Sequence, residues 1–371
     1  MMPATHTQAP SESRLLSPFF SFFIVVGAQI SVGVLGLERI IATFSGQDAW
    51  LSVLLAGMTV HVLVWLLYGI LKRGEGDLVA IHKAVFGKAV GGLLNLYFIG
   101  YFALLAYTVI RTYIEIIQMW MFVEVYVWVL FLLLVCLAYS YVTNGLRVVV
   151  GLCVIGLFVS APLLLANYFA FTHANVSNLF PMFEHSPQAI LLGSKAMTLN
   201  MLGFEVLLVA YPFLKNGPAS QKWSHLAVFT TTLIYTLAIV LTTIYFNQNQ
   251  LNQTIWATIT LWKVVDLSVI ERFEYIGISI WLFVVLPTIC LLLWAASRIA
   301  NQAFPIKQRT GLRLLIVLLF VCSFFVVGRK EVNQLNDVTA EIGFWTIITY
   351  VPFLYIAQKV KLAVIKGGNK R

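Results

Sequence analysis

The chain has 371 residues, of which 60% are apolar and 11% charged, and its formal net charge is +9. Soluble domains carry about 25% charged and about 45–50% apolar residues, so the expected solvent is lipid and a water-soluble fold is excluded. The basic residues recur at every second connection instead of gathering on one surface, which argues against a nucleic-acid partner.

In chain order, ten apolar stretches are long enough to cross a bilayer: about 17–43, 49–71, 91–118, 124–142, 146–169, 190–214, 225–247, 272–302, 311–328 and 340–360. They are continuously apolar, not alternating, which predicts an all-α polytopic membrane protein and not a barrel. Residues 1–16 read as a polar, disordered tail that is not a cleaved signal. Residues 17–360 read as one ten-span domain, and 361–371 as a basic tail.

Spans one and six are interrupted at their middles. The first runs through Gly27-Ala28-Gln29-Ile30-Ser31-Val32-Gly33 and the sixth through Asn200-Met201-Leu202-Gly203-Phe204-Glu205. A helix in lipid must satisfy its own backbone, so a break survives only where it lines a cavity or a bound solute. Breaks at matching places in two halves of a chain point to a solute site near the midplane. The competing reading for either segment alone is a glycine-rich packing contact.

Two connections look like more than turns. Asp77 caps a stretch to Val90 in which Leu78, Ile81, Val85 and Phe86 share one face, predicting a cytoplasmic interfacial helix. From Asn247 to Ile270, the spacing of Trp256, Ile259, Trp262, Val265 and Val269 predicts an amphipathic helix over the external face. The N-terminus, the even-numbered connections and the C-terminal tail together hold seventeen Lys and Arg, among them Arg14, Lys72, Arg147, Lys307 and Lys366. The opposite side holds four: Lys263, Arg272, Arg329 and Lys330. That bias places both termini in the cytoplasm, as an even number of spans requires.

Glu205 is the foremost chemical candidate. A carboxylate at a helix centre in the membrane costs at least about 2.5–3.5 kcal/mol, so it has either a partner or a task. A structural hub capping the broken half-helix competes with a ligand or proton-binding role. Lys195 stands about 15 Å above it at ~1.5 Å per residue, too far to neutralise it. Arg111 and Glu115, one turn apart, are expected to pair. Glu38 and Arg39 are expected to snorkel to water at the outer end of span one, and His61 to be a lone satisfied histidine. The expected ligand-binding set is Gly27, Gln29, Ser31 and Gly33 from span one with Gly203, Phe204 and Glu205 from span six. Phe98, Tyr101, Leu286 and Thr288 are added as walls from their depth in spans three and eight. Gly33 and Gly203 are expected where backbone approaches solute, so that leucine at either would block binding and leave the protein in the membrane. Cys136, Cys153, Cys290 and Cys322 lie in spans without a Cys-x-x-Cys pair, which predicts neither disulfides nor a metal site. No phosphate loop, nucleophile elbow or zinc motif occurs, so neither an enzyme nor a cofactor is expected.

With these residues in place, the chain resembles the B subunits of bacterial spore germinant receptors, a branch of the amino acid–polyamine–organocation permease superfamily. The resemblance rests on Gln29-Ile30-Ser31-Val32-Gly33-Val34-Leu35, Gly46-Gln47-Asp48-Ala49-Trp50, Leu202-Gly203-Phe204-Glu205 with Tyr211-Pro212-Phe213, and Ile270-Glu271-Arg272 with Trp281. It departs at Leu37-Glu38-Arg39, where the family usually has a proline, so the outer end of span one is expected to be straighter. The resemblance implies a five-plus-five inverted repeat, about 17–169 and 190–360. It also implies a spore inner-membrane protein that senses a small nutrient germinant, most often an amino acid, beside an A subunit and a C-subunit lipoprotein. The alternatives are a proton-coupled amino-acid permease and a membrane scaffold with a vestigial pocket.

Overall fold

The structure, a computed structural model, describes residues 11–74, 76–266 and 271–368. The first apolar stretch is split into α1 (Phe20–Gln29) and α2 (Leu37–Ser45), and α3 (Ala49–Leu71) follows. Next come α4 (Leu78–Trp120), α5 (Val127–Thr143) and α6 (Leu146–Phe171). The second interrupted stretch comprises α7 (Pro187–Ala196), α8 (Thr198–Met201) and α9 (Leu207–Ala210). The chain then forms α10 (Gln221–Tyr245), α11 (Gln248–Gln253), α12 (Ala257–Trp262) and α13 (Phe273–Ala303). It ends with α14 (Gln308–Cys322), α15 (Arg329–Trp345) and α16 (Val351–Gly368). Among the described residues, six helices or helix runs are long and apolar enough to cross a membrane. The bent pair Pro187–Ala196 and Thr198–Phe213, at 56°, makes up to seven; α1 and α5 are apolar but shorter.

Helix α13 is the centre of the bundle, packed most extensively on α4 and α6, and nearly every residue from Val284 to Ala300 is buried. At the periphery the polarity is reversed relative to a soluble protein. Leu133 on α5, with Phe158 and Leu165 on α6, is outward-facing and apolar, as a lipid boundary requires.

Both ends of the bundle are tied. At the end that carries the chain termini, the expected disordered tail 1–16 is described from Ser11, and its last residues form a strap. Leu16 N–H donates to Phe213 O at 2.7 Å and Lys215 N–H returns to Leu16 O at 2.9 Å, just past α9. At the far end, the Asp48 carboxylate accepts the backbone N–H groups of Phe183, Glu184 and His185 at 2.7–3.0 Å. Trp50 packs edge-on against Phe183. The Gly-Gln-Asp-Ala-Trp motif is thus a latch on the loop that enters α7.

One expectation about the connections holds and others need correction. The 78–86 segment is helical with Asp77 as its cap, accepting from Ala80 N–H, and Gly87 at φ +80° separates it from the rest of α4. The stretch after Asn247 is two short helices, not one, because Thr254 leaves the helical path; Trp256, Ile259, Trp262 and Val265 are buried in the bundle instead of lying over it. Val269 and Ile270 lie outside the described residues. The last span begins at Arg329, well before residue 340, because the polar run Arg329–Ala340 is helical.

Candidate functional site

The two breaks meet. Leaving α1, the chain runs extended through Ile30 and Ser31 before a 3₁₀ turn at Val32–Leu35; leaving α8, it turns through Leu202 and Gly203. Gln29 joins them: its Nε2 donates to Met201 O at 2.7 Å and its Oε1 accepts from Thr231 on α10 at 3.0 Å. Gly203 has φ +110°, and a Cβ there would lie 2.5 Å from Ala28 O. That left-handed backbone and backbone-on-backbone crossing admit only glycine.

The carbonyls freed by the first break are taken by side chains of later helices. Gly27 O accepts from Thr288 Oγ1 at 2.8 Å, Gln29 O from Tyr235 OH at 2.9 Å, Ser31 O from Trp281 Nε1 at 3.2 Å and Val34 O from Thr258 Oγ1 at 2.9 Å. The second break is held more locally. Glu205 Oε2 accepts Gly203 N–H at 2.9 Å, and its Oε1 accepts the Tyr101 hydroxyl.

Above the crossing is a cavity of about 510 Å³, a size that suits a small organic solute. Gln29, Ser31, Gly33, Asn200, Gly203 and Tyr235 form its deep end, while Thr108 and Thr112 of α4 with Thr288 and Leu292 of α13 form its walls. The rim lies at the far end, where Ile40, Phe44 and Leu192 are exposed. Toward the terminal end the path is shut by the Glu205–Tyr101 contact and by Tyr68, whose hydroxyl bonds Ser220 and Ser224 at 2.6 and 2.8 Å. Among the described residues, three buried polar atoms of cavity-lining residues lack any partner: Ser31 Oγ, Arg39 Nε and Trp256 Nε1. A buried polar atom without a bond costs roughly 1–3 kcal/mol, which a polar solute would recover once a small shift of the lining exposes these atoms. The charges near the rim are largely paired, Lys195 with Glu341 at 2.9 Å and Arg329 with Glu115.

Comparison with known proteins identifies the family and the fold. Residues 15–335 match the family described as spore germination protein. The spore germination protein GerQB of Bacillus cereus is 41% identical over 355 residues, covering 96% of this chain and 98% of its own length. This chain belongs to the spore germination protein family. Spore germination protein B2 of Bacillus subtilis (strain 168) is 24% identical, with 92% of this chain and 94% of that protein covered. Among solved structures, a Na⁺-coupled sialic acid symporter in a substrate-bound outward-open state superposes with a TM-score of 0.63 at 10% identity. The match covers 94% of this chain and 78% of the symporter. The fold is therefore that of a membrane transporter.

In this germination protein the residues singled out from sequence divide into two groups. Gln29, Ser31, Gly33, Gly203 and Thr288 line the cavity. Gly27, Phe98, Tyr101, Phe204, Glu205 and Leu286 are buried or packed outside its lining. Gly27 faces Cys153 of α6, and Phe98 packs on Tyr101, Phe102 and Tyr350. Gly33 and Gly203 mark where the two breaks touch each other: a Cβ on Gly33 would collide with Asn200 Oδ1. Glu205 caps the second break.

Other expected partners are exchanged. Arg111 does not pair with Glu115; it donates to Val326 O at 2.7 Å and Val327 O at 3.2 Å, while Arg329 takes Glu115. Glu38 is buried and accepts from Thr258 at 2.5 Å, because α2 turns that face inward after the break. His61 has a partner, His225, at 2.9 Å. Sequence reasoning missed the polar face of α15, where Arg329, Asn333, Asn336, Asp337, Ala340 and Glu341 all line the cavity. Their spacing of i, i+4, i+7, i+8, i+11 and i+12 is one helical face and was present in the sequence.

Proposed function

We propose that this protein is the germinant-sensing membrane subunit of a spore germination receptor, binding a small nutrient in the cavity between its two breaks. The observation that carries the reading is the cavity itself: it is bounded by both broken segments, and its unpartnered Ser31 hydroxyl and Trp256 N–H suit a polar solute. Lys195 pairs with Glu341 and Arg329 with Glu115, and the remaining charged lining residues, Arg39 and Asp337, are of opposite sign. Such near-neutral, two-sign surroundings favour a zwitterion such as an amino acid over a strongly charged ligand. In this reading the chain forms ten spans as a five-plus-five inverted repeat in the spore inner membrane, with both termini cytoplasmic. It works beside an A subunit and a C-subunit lipoprotein; the distribution of Lys and Arg supports that orientation.

The test is germination of spores carrying the parent gene, a deletion, Ser31→Ala or Trp256→Phe, scored against a panel of amino acids and sugars. Ser31→Ala removes one polar group and little volume, Trp256→Phe removes the N–H together with part of the indole ring, and each is expected to raise the required concentration of the active nutrient by roughly tenfold. Parental sensitivity in both variants would place the site elsewhere.

A proton-coupled amino-acid permease is the second reading, favoured by a cavity open at one end and shut at the other within a transporter fold. Uptake of the active nutrient into proteoliposomes would separate the two: a sensor binds without accumulating solute.

A further inference from the structure

At the terminal end a second cavity, of about 380 Å³, lies between the strap, the α5–α6 turn and the α13–α14 turn. Five cationic side chains line it, Arg14, Arg147, Arg298, Lys307 and Arg309, and no carboxylate does. Among the described residues none of the five is in an ion pair. Arg147 donates to the neutral Ser13 carbonyl. Arg298 lies over the Phe213 ring at 5.4 Å, and its Nε is buried without a partner. The nearest acid acting on Arg298 is Asp77, whose two oxygens are already engaged by Ala80 N–H and the Gln302 side chain.

Two helices also begin here. Helix α6 starts at Leu146 after Gly145, and α14 at Gln308 after Lys307; neither start has a side-chain cap. Uncapped N–H groups at a helix start carry the positive end of the helix dipole. Asp77 offsets Arg298 from outside the recess, and the remaining cations and two such starts repel each other unless an anion is present. A membrane protein is expected to be rich in Lys and Arg on this side, but that bias places charges on loops; it does not require them to converge on a cavity with a buried, unpartnered guanidinium nitrogen.

We propose that this cavity binds a phosphate group, held by the arginine forks and by the α6 and α14 starts. Guanidinium groups bind phosphate through paired hydrogen bonds, and helix N-termini add peptide N–H donors. Phosphate could arrive on an anionic phospholipid or as a soluble phosphoanion. Occupancy would tie the strap to both turns and so hold shut the end beneath the second break.

The test uses the full chain in nanodiscs of phosphatidylcholine alone, or of phosphatidylcholine with phosphatidylglycerol, each in buffer with and without inorganic phosphate. The readout is the midpoint of thermal unfolding as phosphatidylglycerol or phosphate is titrated. Arg14 and Arg309 are exposed, so Arg14→Gln with Arg309→Gln should fold normally and weaken the response at least about tenfold, as loss of two charge-assisted contacts implies. The control is Lys215→Gln with Lys222→Gln, which removes the same charge from the same end outside the cavity and should respond like the parent. A rise with phosphatidylglycerol alone identifies a lipid phosphate, and a rise with inorganic phosphate identifies a soluble one. No rise in the parent with either, or equal loss in the control, would overturn the proposal.

Discussion

Break one and break six do the same thing to a helix and are repaired by opposite means. The four carbonyls opened by break one are bonded by Thr288, Tyr235, Trp281 and Thr258, which belong to α13, α10 and α12. Break six is capped by Glu205, two residues beyond the N–H it accepts, with outside contributions from Tyr101 and from Gln29, whose amide donates to Met201 O. The first break is therefore wired to three other helices and shifts only with them. The second is capped mainly from within and is tied to the first through Gln29. A ligand that touches Ser31 and Gly203 together would report on both.

The largest expected effect comes from glycine replacement, and it should differ between the breaks. Gly203→Leu puts a side chain against backbone in a left-handed conformation, worth at least about 1–2 kcal/mol from the backbone alone. Loss of the folded protein from spore membranes is expected, read by immunoblot. Gly33→Leu meets only the end of the Asn200 side chain, which can rotate. That variant should persist in the membrane and lose its germination response, because leucine fills the cavity. Equal membrane levels for the two variants would show that both breaks tolerate a side chain alike.

Glu205 gives the next effect. Glu205→Ala leaves the buried Gly203 N–H without an acceptor, a loss of about 1–3 kcal/mol, and should lower the thermal midpoint of the purified protein. Glu205→Gln keeps a carbonyl for Gly203, so a sensor should retain most of its response. In a proton-coupled permease the same Gln variant should block uptake nearly as completely as Ala.

The smallest effects belong to single wires of break one. Thr288→Val unbinds Gly27 O, and Tyr235→Phe unbinds Gln29 O. About 0.5–1.5 kcal/mol is expected for each, the ordinary net worth of one hydrogen bond. Measured together by chemical denaturation, the two losses should add if the wires act independently and fall short if they share one moving unit. Losses as large as that of Glu205→Ala would show that break one is not shared among helices.

Both breaks were legible in the sequence because lipid tolerates glycines and polar groups inside an apolar run only where the helix meets a cavity or a close neighbour. The partners were not. Glu38 reaches Thr258, 220 positions away, and Arg329 displaces Arg111 at Glu115, choices that only packing makes. Phe98 and Leu286 were assigned by depth, which fixes height along a span but not its rotation; with 3.6 residues per turn, one position changes the direction by roughly 100°. The polar wall on α15 was hidden for the opposite reason. Hydropathy discounts Arg329–Glu341 as a loop, whereas its helical spacing places that face on the cavity.

The long reach of break one bears on how the protein is made. Gln29 waits for Tyr235, 206 residues later in the chain, and Glu38 waits for Thr258. At about 5–20 residues per second, a ribosome needs roughly 10–40 s to supply the first of these partners. Break six needs only Gln29 and Tyr101, both already synthesised, and its own Glu205. The nascent chain therefore completes its second break as it emerges while its first remains open, with a carboxylate and several carbonyls exposed near the membrane, a stage at which an insertion factor offering temporary hydrogen bonds would raise the yield of folded protein.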